Sequence, residues 1–333
     1  MKPIAVIILN WNGENLLREF LPQVLENTDA EIADVIVADN GSTDSSVEVL
    51  KTEFPGVKTL LFEENYGFAE GYNKAIAQTK YKYTVLLNSD VAPAAGWITP
   101  LYNYLETHPD VDAVQPKVLS YRNKDTFEHA GAAGGFIDVN GFPYCRGRIM
   151  EAVEKDSGQY DTEMEIFWAS GAALTIRTDT YLNVGGLDSK FFAHMEEIDL
   201  CWRVLLTGKK IVAVCSSTIY HLGGASLAYN NPRKTYLNFR NNLLMMHKNL
   251  PDSTRSRKLL KRRLIDTIAW AKYALTLDFK NAAAIFRAHR DFAKMSKLYT
   301  SHPTRDLLDE MPLKVNVITA RYLRGITKFS QLS

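Results

Sequence analysis

An α/β chain with a doubly wound, mostly parallel sheet is predicted by two observations. Short apolar runs alternate with amphipathic helical patterns along the first ninety residues, and each run stops abruptly at polar residues. Ile4 to Leu9 is the first run, ending at Asn10-Trp11-Asn12-Gly13; Leu16, Leu17, Phe20, Leu21, Val24 and Leu25 then recur at helical spacing. Val35 to Ala38 is the second, ending at Asp39-Asn40-Gly41-Ser42-Thr43-Asp44, with a helix from about Ser45. Val57 to Phe62 is the third, followed by a polar and aromatic stretch to Asn73 and a helix through Gln78. Tyr83 to Leu87 is the fourth, and it delivers Asn88-Ser89-Asp90. Right-handed crossovers place all four polar ends along one sheet edge, where open α/β sheets bind ligands.

The 333 residues suffice for one large domain or two, and an apolar share of 46% with a charged share of 23% is ordinary for a globular protein. The net charge of +1 hides an asymmetry: from Arg255 onward there are 17 Lys+Arg against 6 Asp+Glu, and before it 22 against 32. An acidic body with a basic tail suggests two tasks, the second suited to an anionic surface. Cys145, Cys201 and Cys215 are odd in number and lack Cys-x-x-Cys spacing, so a reducing compartment is expected. With no signal-peptide pattern and no apolar run near the ~20 residues that cross a bilayer, a cytoplasmic protein is expected, with any membrane contact peripheral on the inner face of the plasma membrane.

Each polar strand end alone reads as a helix cap; together they suggest a nucleotide pocket. A Rossmann Gly pattern and a P-loop are both missing. Asn10-Trp11-Asn12, Val37 to Asp44, Asn65 to Asn73 and Leu86-Leu87-Asn88-Ser89-Asp90 together resemble the ordered signature of family 2 glycosyltransferases, in the branch that contains bacterial rhamnosyltransferases. That resemblance implies a GT-A fold over residues 1–250, with a nucleotide-binding half (1–116) and an acceptor and catalytic half (117–250), and a basic amphipathic helical extension over 251–333. It implies a nucleotide-diphospho-sugar donor held by Asn10, Asn12, Asp39, Asn40, Ser42, Asn65, Phe68, Asn73, Asn88, Ser89 and Arg240. Asp39 would contact the nucleobase or ribose. Asp90 would be the metal-binding end of an Asp-x-Asp-like motif whose first position is Asn88, leaving one carboxylate of the usual two.

Further along, Trp97, Ile98, Leu101, Tyr104 and Leu105 mark a packing helix between Pro93 and about Pro116. Val118 to Met150 is rich in Gly and aromatics and fits short strands and loops. The charged run Glu151 to Glu165 reads as a mobile, solvated loop, with closure over the crevice as its functional alternative. Phe167 to Arg177 looks like a turn feeding a strand, and Trp168, Gly171 and Ala172 are expected to line an acceptor or sugar pocket, small residues allowing close approach. In Phe191 to Arg203, Glu196, Asp199 and Arg203 share one helical face and suit an ion-pair network, while Glu197 points elsewhere. The family pattern makes the second acid of the pair the general base: Glu197, with Glu196 as second choice, and Asp199 and Arg203 in support. Ile211 to Val214 is another strand, and His221, ahead of Gly223-Gly224-Ala225-Ser226, matches a family position that completes the metal shell. A divalent metal, Mg²⁺ or Mn²⁺, is the expected cofactor, and imidazole suits Mn²⁺ better. Arg240, in the aromatic-Arg-Asn segment, suits phosphate or a buried ion pair.

The resulting expectation is an inverting, metal-dependent transfer from dTDP-rhamnose or a UDP-sugar to a hydroxyl of a glycan or lipid-linked glycan. The competing readings are a nucleotidyltransferase, which would want a Gly-rich loop with a Lys or Arg near the start, and a non-catalytic nucleotide- or carbohydrate-binding module. Residues 255–275, a basic entry to an amphipathic helix, are the candidate contact with an anionic membrane; a second helical pattern runs from Asn281 to about Leu298. Nucleic acid is not among the expected partners.

Overall fold

The computed structural model describes residues 2–223, 231–300, 302–311 and 313–332. The four predicted strands are β1 (Ile4–Asn10), β2 (Ala33–Asp39), β3 (Lys58–Leu61) and β4 (Tyr83–Leu87). They alternate with α1 (Glu14–Asn27), α2 (Ser46–Thr52) and α3 (Gly67–Ala77). All four strands are parallel in the order β3-β2-β1-β4, so their polar ends do share one edge. β1 and β4 are buried along nearly their whole length, as an apolar run covered on both faces requires.

Beyond β4 come β5 (Val91–Pro93), α4 (Ile98–Thr107) and β6 (Val111–Ser120). The packing helix ends at Thr107, and β6, a strand not anticipated from the sequence, takes over before Pro116, because Asp112, Gln115 and Lys117 among Val111, Val114 and Val118 weaken the apolar signal. A small antiparallel sheet follows: β7 (Gly135–Ile137), β8 (Pro143–Cys145), β9 (Arg148–Ile149) and β10 (Ala152–Val153). Then come β11 (Met164–Glu165), β12 (Ala173–Arg177), α5 (Thr178–Asn183), α6 (Glu196–Leu206) and β13 (Lys210–His221). β12 runs antiparallel between β4 and β6, and β13 lies parallel to β6. β13 extends far past Val214, across a register shift between Val214 and Thr218, so His221 is its last residue rather than part of a following loop. Gly224, Ala225 and Ser226 lie outside the described residues.

The charged run 151–165 is not a free loop. Lys117, almost buried, pairs with Asp156 at 2.8 Å and with Asp161; Arg146 donates to the carbonyls of Tyr160 and Thr162; and the Tyr160 hydroxyl meets the Glu154 carboxylate at 3.0 Å. β11 pairs with Val212 and Ala213, in the half of β13 remote from His221, so the run does not cover the polar edge. Two of its acids, Asp156 and Asp161, serve the buried Lys117, which composition alone cannot reveal.

The chain continues into α7 (Pro232–Asn249), α8 (Asp252–Leu275) and α9 (Phe279–Met295). Leu243 to Met246 of α7, Leu259 of α8 and Phe292 of α9 join the same apolar cluster as Ala5, Leu86 and Leu174 of the sheet. Cys145, Cys201 and Cys215 are free and buried. No helix among the described residues is long and apolar enough to cross a membrane.

Candidate active site

At the ends of β1 and β2 the polar residues are bound to one another. Asn10 donates to the Asp39 carboxylate at 2.9 Å and faces the Ser42 hydroxyl at 3.3 Å; the Ser42 N–H donates to the other Asp39 oxygen at 2.9 Å. The Asn12 side-chain oxygen accepts the Thr43 N–H at 2.7 Å. Asn40 reaches Asn65 at 3.0 Å and the Gly67 carbonyl at 3.1 Å, which ties the β2 end to the start of α3. Gly41, with φ of +71°, makes this possible: a Cβ there would sit 2.5 Å from the Glu64 backbone.

Asp90 is buried just past β4. His221 Nε2 lies 3.1 Å from Asp90 and 3.3 Å from the Asn88 amide, while its Nδ1 lies 3.6 Å from Glu128. Burial alone would push the imidazole down, but the Asp90 and Glu128 carboxylates outweigh it and hold His221 up at about 10. Glu128, partly buried and lowered by His221 against its own desolvation, is a neighbour of this pair that sequence reasoning missed; 93 residues separate it from His221. Among the described residues no group of three or more His, Cys, Asp or Glu is arranged to hold a metal ion. Asp90 and His221 are two facing ligand-type side chains, which fit a metal only with further oxygen ligands supplied from outside the chain.

The three acids of α6 have separate environments. Asp199, fully buried, is paired with Arg203 at 2.8 Å and Lys248 at 2.9 Å and accepts from Asn249 at 2.7 Å. Arg203 also donates to the carbonyls of Val184 and Gly186, so this pair fastens α6 to the preceding turn. Glu196 is sealed, with one carboxylate oxygen that has no hydrogen-bond partner; burial first, then the charges of Glu197 and Asp199, raise it well above the usual carboxylate range. Glu197 is half-buried and its Oε2 also lacks a partner; burial raises it too. Its side chain lies against Gly171 and Phe68: a Cβ added to Gly171 would meet the Glu197 Cβ and the Phe68 ring, each at 3.7 Å.

Contacts run from the surroundings of Glu197 toward the end of β4 through buried residues. Gly171 precedes Ala172, whose carbonyl accepts the Asn88 N–H at 3.1 Å. Phe68 packs edge-on against Tyr72, whose hydroxyl donates to the Leu87 carbonyl at 2.8 Å. Gly171 thus has Glu197 and Phe68 beside it, and the next residue, Ala172, holds Asn88, which faces His221.

Three expected site residues have other duties. Trp168 is a core residue: its indole donates to the Phe136 carbonyl at 2.8 Å and its ring fills the space over Gly135, so it lines no pocket. Asn73 clamps a turn, donating to the Leu187 carbonyl at 2.8 Å and accepting from the Leu187 N–H and the Tyr181 hydroxyl. Arg240 donates to the carbonyls of Lys190 and Phe191 and to Asn241 rather than presenting its fork to a phosphate. Its neighbour Asn241 donates to the carbonyls of Phe191, Ala193 and His194 at 2.7–2.9 Å.

Solved structures show the same fold at low identity. The S. aureus TarS 1–349 complex with UDP-GlcNAc aligns over 96% of this chain and 87% of that one, with a TM-score of 0.58 and 14% identity. The mannosyltransferase PcManGT of Pyrobaculum calidifontis, in complex with GDP-Man and Mn²⁺, aligns over 89% and 84%, with a TM-score of 0.52 and 14% identity. The fold is that of GT-A glycosyltransferases. Residues 5–162 match the family described as Glycosyl transferase family 2. The chain's relatives include the N-acetylglucosaminyl-diphospho-decaprenol L-rhamnosyltransferase of Mycobacterium tuberculosis, 25% identical over 236 residues that cover 66% of this chain and 75% of the relative.

Proposed function

We propose that the chain moves a sugar, with inversion, from a nucleotide-diphospho-sugar to a hydroxyl of a glycan or lipid-linked glycan. The observation that carries this reading is the position of Glu197: of the three acids on α6, it alone is only half-buried as a residue, with an unpartnered, buried Oε2 and a side chain beside Gly171. Glu196 is closed off and Asp199 is fully paired. A carboxylate raised by burial suits general-base work, because its proton affinity approaches that of the operating medium. In the proposed step the acceptor hydroxyl gives its proton to the Glu197 carboxylate as its oxygen bonds to the anomeric carbon. The bond from that carbon to the diphosphate oxygen breaks on the opposite face.

Asn10, Asn12, Asp39, Asn40, Ser42 and Asn65 would hold the nucleoside, and Asn88 and Ser89 the region toward the sugar. Asp90 and His221 would hold a divalent cation, Mg²⁺ or Mn²⁺, in place of the proton they share. That ion would supply neutralisation of the leaving diphosphate. The mycobacterial relative favours dTDP-rhamnose, and the UDP-sugar complex of TarS keeps UDP-sugars as the second choice. A lipid-linked acceptor places the reaction at the cytoplasmic face of a membrane.

The test is Glu197→Gln. Turnover should fall by about 10²–10⁴-fold, while nucleoside diphosphate binding, read by calorimetry, stays within about twofold of wild type. In the wild type, kcat/KM should rise with pH through a value above the ordinary carboxylate range and then level, since the base must be ionised and burial raises it. Wild-type turnover in the Gln variant would reject the assignment.

A further inference from the structure

α8 is built inside out. Its buried positions are Lys258, Leu259, Arg262 and Asp266, whereas Leu260, Leu264, Ile268 and Leu275 stand 59–84% exposed. Leu260, Leu264 and Ile268 are four apart and form one stripe. Leu277 at the hairpin tip and Phe279 and Phe286 of α9 extend it, each more than 60% exposed. A helix on a water-facing surface normally has the reverse arrangement, and a contiguous apolar display of this kind marks an interaction surface.

The inward charges hold the hairpin in place. Arg262 pairs with Asp266 at 2.8 Å, donates to the Asn242 side chain and lies 3.7 Å over the Phe142 ring. His289 of α9 sits 3.2 Å from Asp266, and Lys258 pairs with Asp306 at 2.7 Å and Asp309 at 2.8 Å. The outer face is therefore displayed by a docked element, not left over from an undocked one.

Charge identifies the partner. Between Arg255 and Arg290 there are ten Lys and Arg but only two acids, Asp266 and Asp278. Asp266 is buried, and Asp278 caps α9 through Asn281 at 2.7 Å. Arg257, Lys261, Arg263, Lys272, Lys280 and Arg287 are exposed around the apolar stripe. We propose that the outer face of the α8–α9 hairpin docks on a bilayer carrying anionic phospholipid, its apolar side chains entering the boundary between headgroups and acyl chains and its cations meeting the headgroups. A groove of about 490 Å³, lined by Pro232, Phe279, Lys280, Ala283 and Arg287, joins this face to the start of α7. A lipid-linked acceptor in the same bilayer would approach from that side; this last point rests on the proposed glycosyl transfer, whereas docking itself requires no sugar.

The experiment is co-sedimentation of the full chain with phosphatidylcholine vesicles, with and without phosphatidylglycerol, across a salt series. Binding is expected only with phosphatidylglycerol and should weaken as salt rises. Ile268→Glu with Phe286→Glu should cut vesicle binding at least about tenfold, with thermal midpoint and transfer to a water-soluble acceptor unchanged. Lys261→Gln and Lys272→Gln should each weaken it about fivefold. Failure of the wild type to sediment, equal sedimentation with pure phosphatidylcholine, or undiminished binding by the double Glu variant would overturn the proposal. So would light scattering that shows a wild-type dimer and a monomeric double variant, since the face would then join two copies of the chain.

Discussion

Glu196 and Glu197 are neighbours in the chain and opposites in surroundings. Helical geometry turns adjacent side chains about 100° apart, which sends one carboxyl inward under α6 and leaves the other beside Gly171. Both are raised by burial, so the folded state holds their protons more tightly than the unfolded chain does. The associated stability is complete below the unfolded value of 4.5 and is lost as pH rises through the raised folded values. Glu196→Gln keeps the shape and removes the titration. Its thermal midpoint should therefore match wild type near pH 4 and exceed it progressively toward about pH 8; parallel melting curves at all pH values would count against a sealed, protonated Glu196. At this scale the sequence was informative where the chemistry is carried by residue type and local period. The pairing of Asp90 with His221 could be anticipated from motifs, whereas that of Glu128 with His221 could not, because its only distinguishing feature is a partner 93 residues away. Trp168 misled for the converse reason: an aromatic next to small residues looks the same from sequence whether it stacks on a sugar or on Gly135.

The loop that precedes α6 bends the wrong way for its residues. Phe192, His194 and Met195 all have φ between +66° and +72°, a region that costs a non-Gly residue about 1–3 kcal/mol. Its carbonyls are held from α7, by Arg240 on Lys190 and Phe191 and by Asn241 on Phe191, Ala193 and His194. α7 thus sets where α6 begins, and with it where Glu197 sits. Asn241→Ala removes a donor from three carbonyls, of which Phe191 keeps Arg240, and should destabilise the fold by about 2–4 kcal/mol. It should also lower kcat more than it weakens donor binding, because the nucleoside end is built on separate strands. Denaturant unfolding together with steady-state kinetics checks both. The parallel strands and their helices were legible because their periods are local. β6 and the extension of β13 to His221 were not, since both gain their burial from each other and from β12 rather than from their own alternation.

At the scale of the whole molecule, the sheet order decides what can be separated from what. The sequence reading divides the chain near residue 116 into a nucleotide half and a catalytic half, yet β12 enters between β4 and β6, and β5 pairs with β13. The acidic body and basic tail, distinct in composition, also share one apolar cluster through Leu259 and Phe292. The charge asymmetry therefore does not mark two separately packed bodies. The interleaving has a practical meaning for anyone who tries to cut the chain. A fragment of residues 1–116 would leave β4 bordering open water, a row of bare amides and carbonyls along a wholly apolar ribbon, which is the template on which other chains stack. Such a fragment should go to inclusion bodies, or show thioflavin-positive aggregates when refolded, whereas the full chain should not; a soluble, monomeric fragment would mean that β12 is a latch rather than a seam.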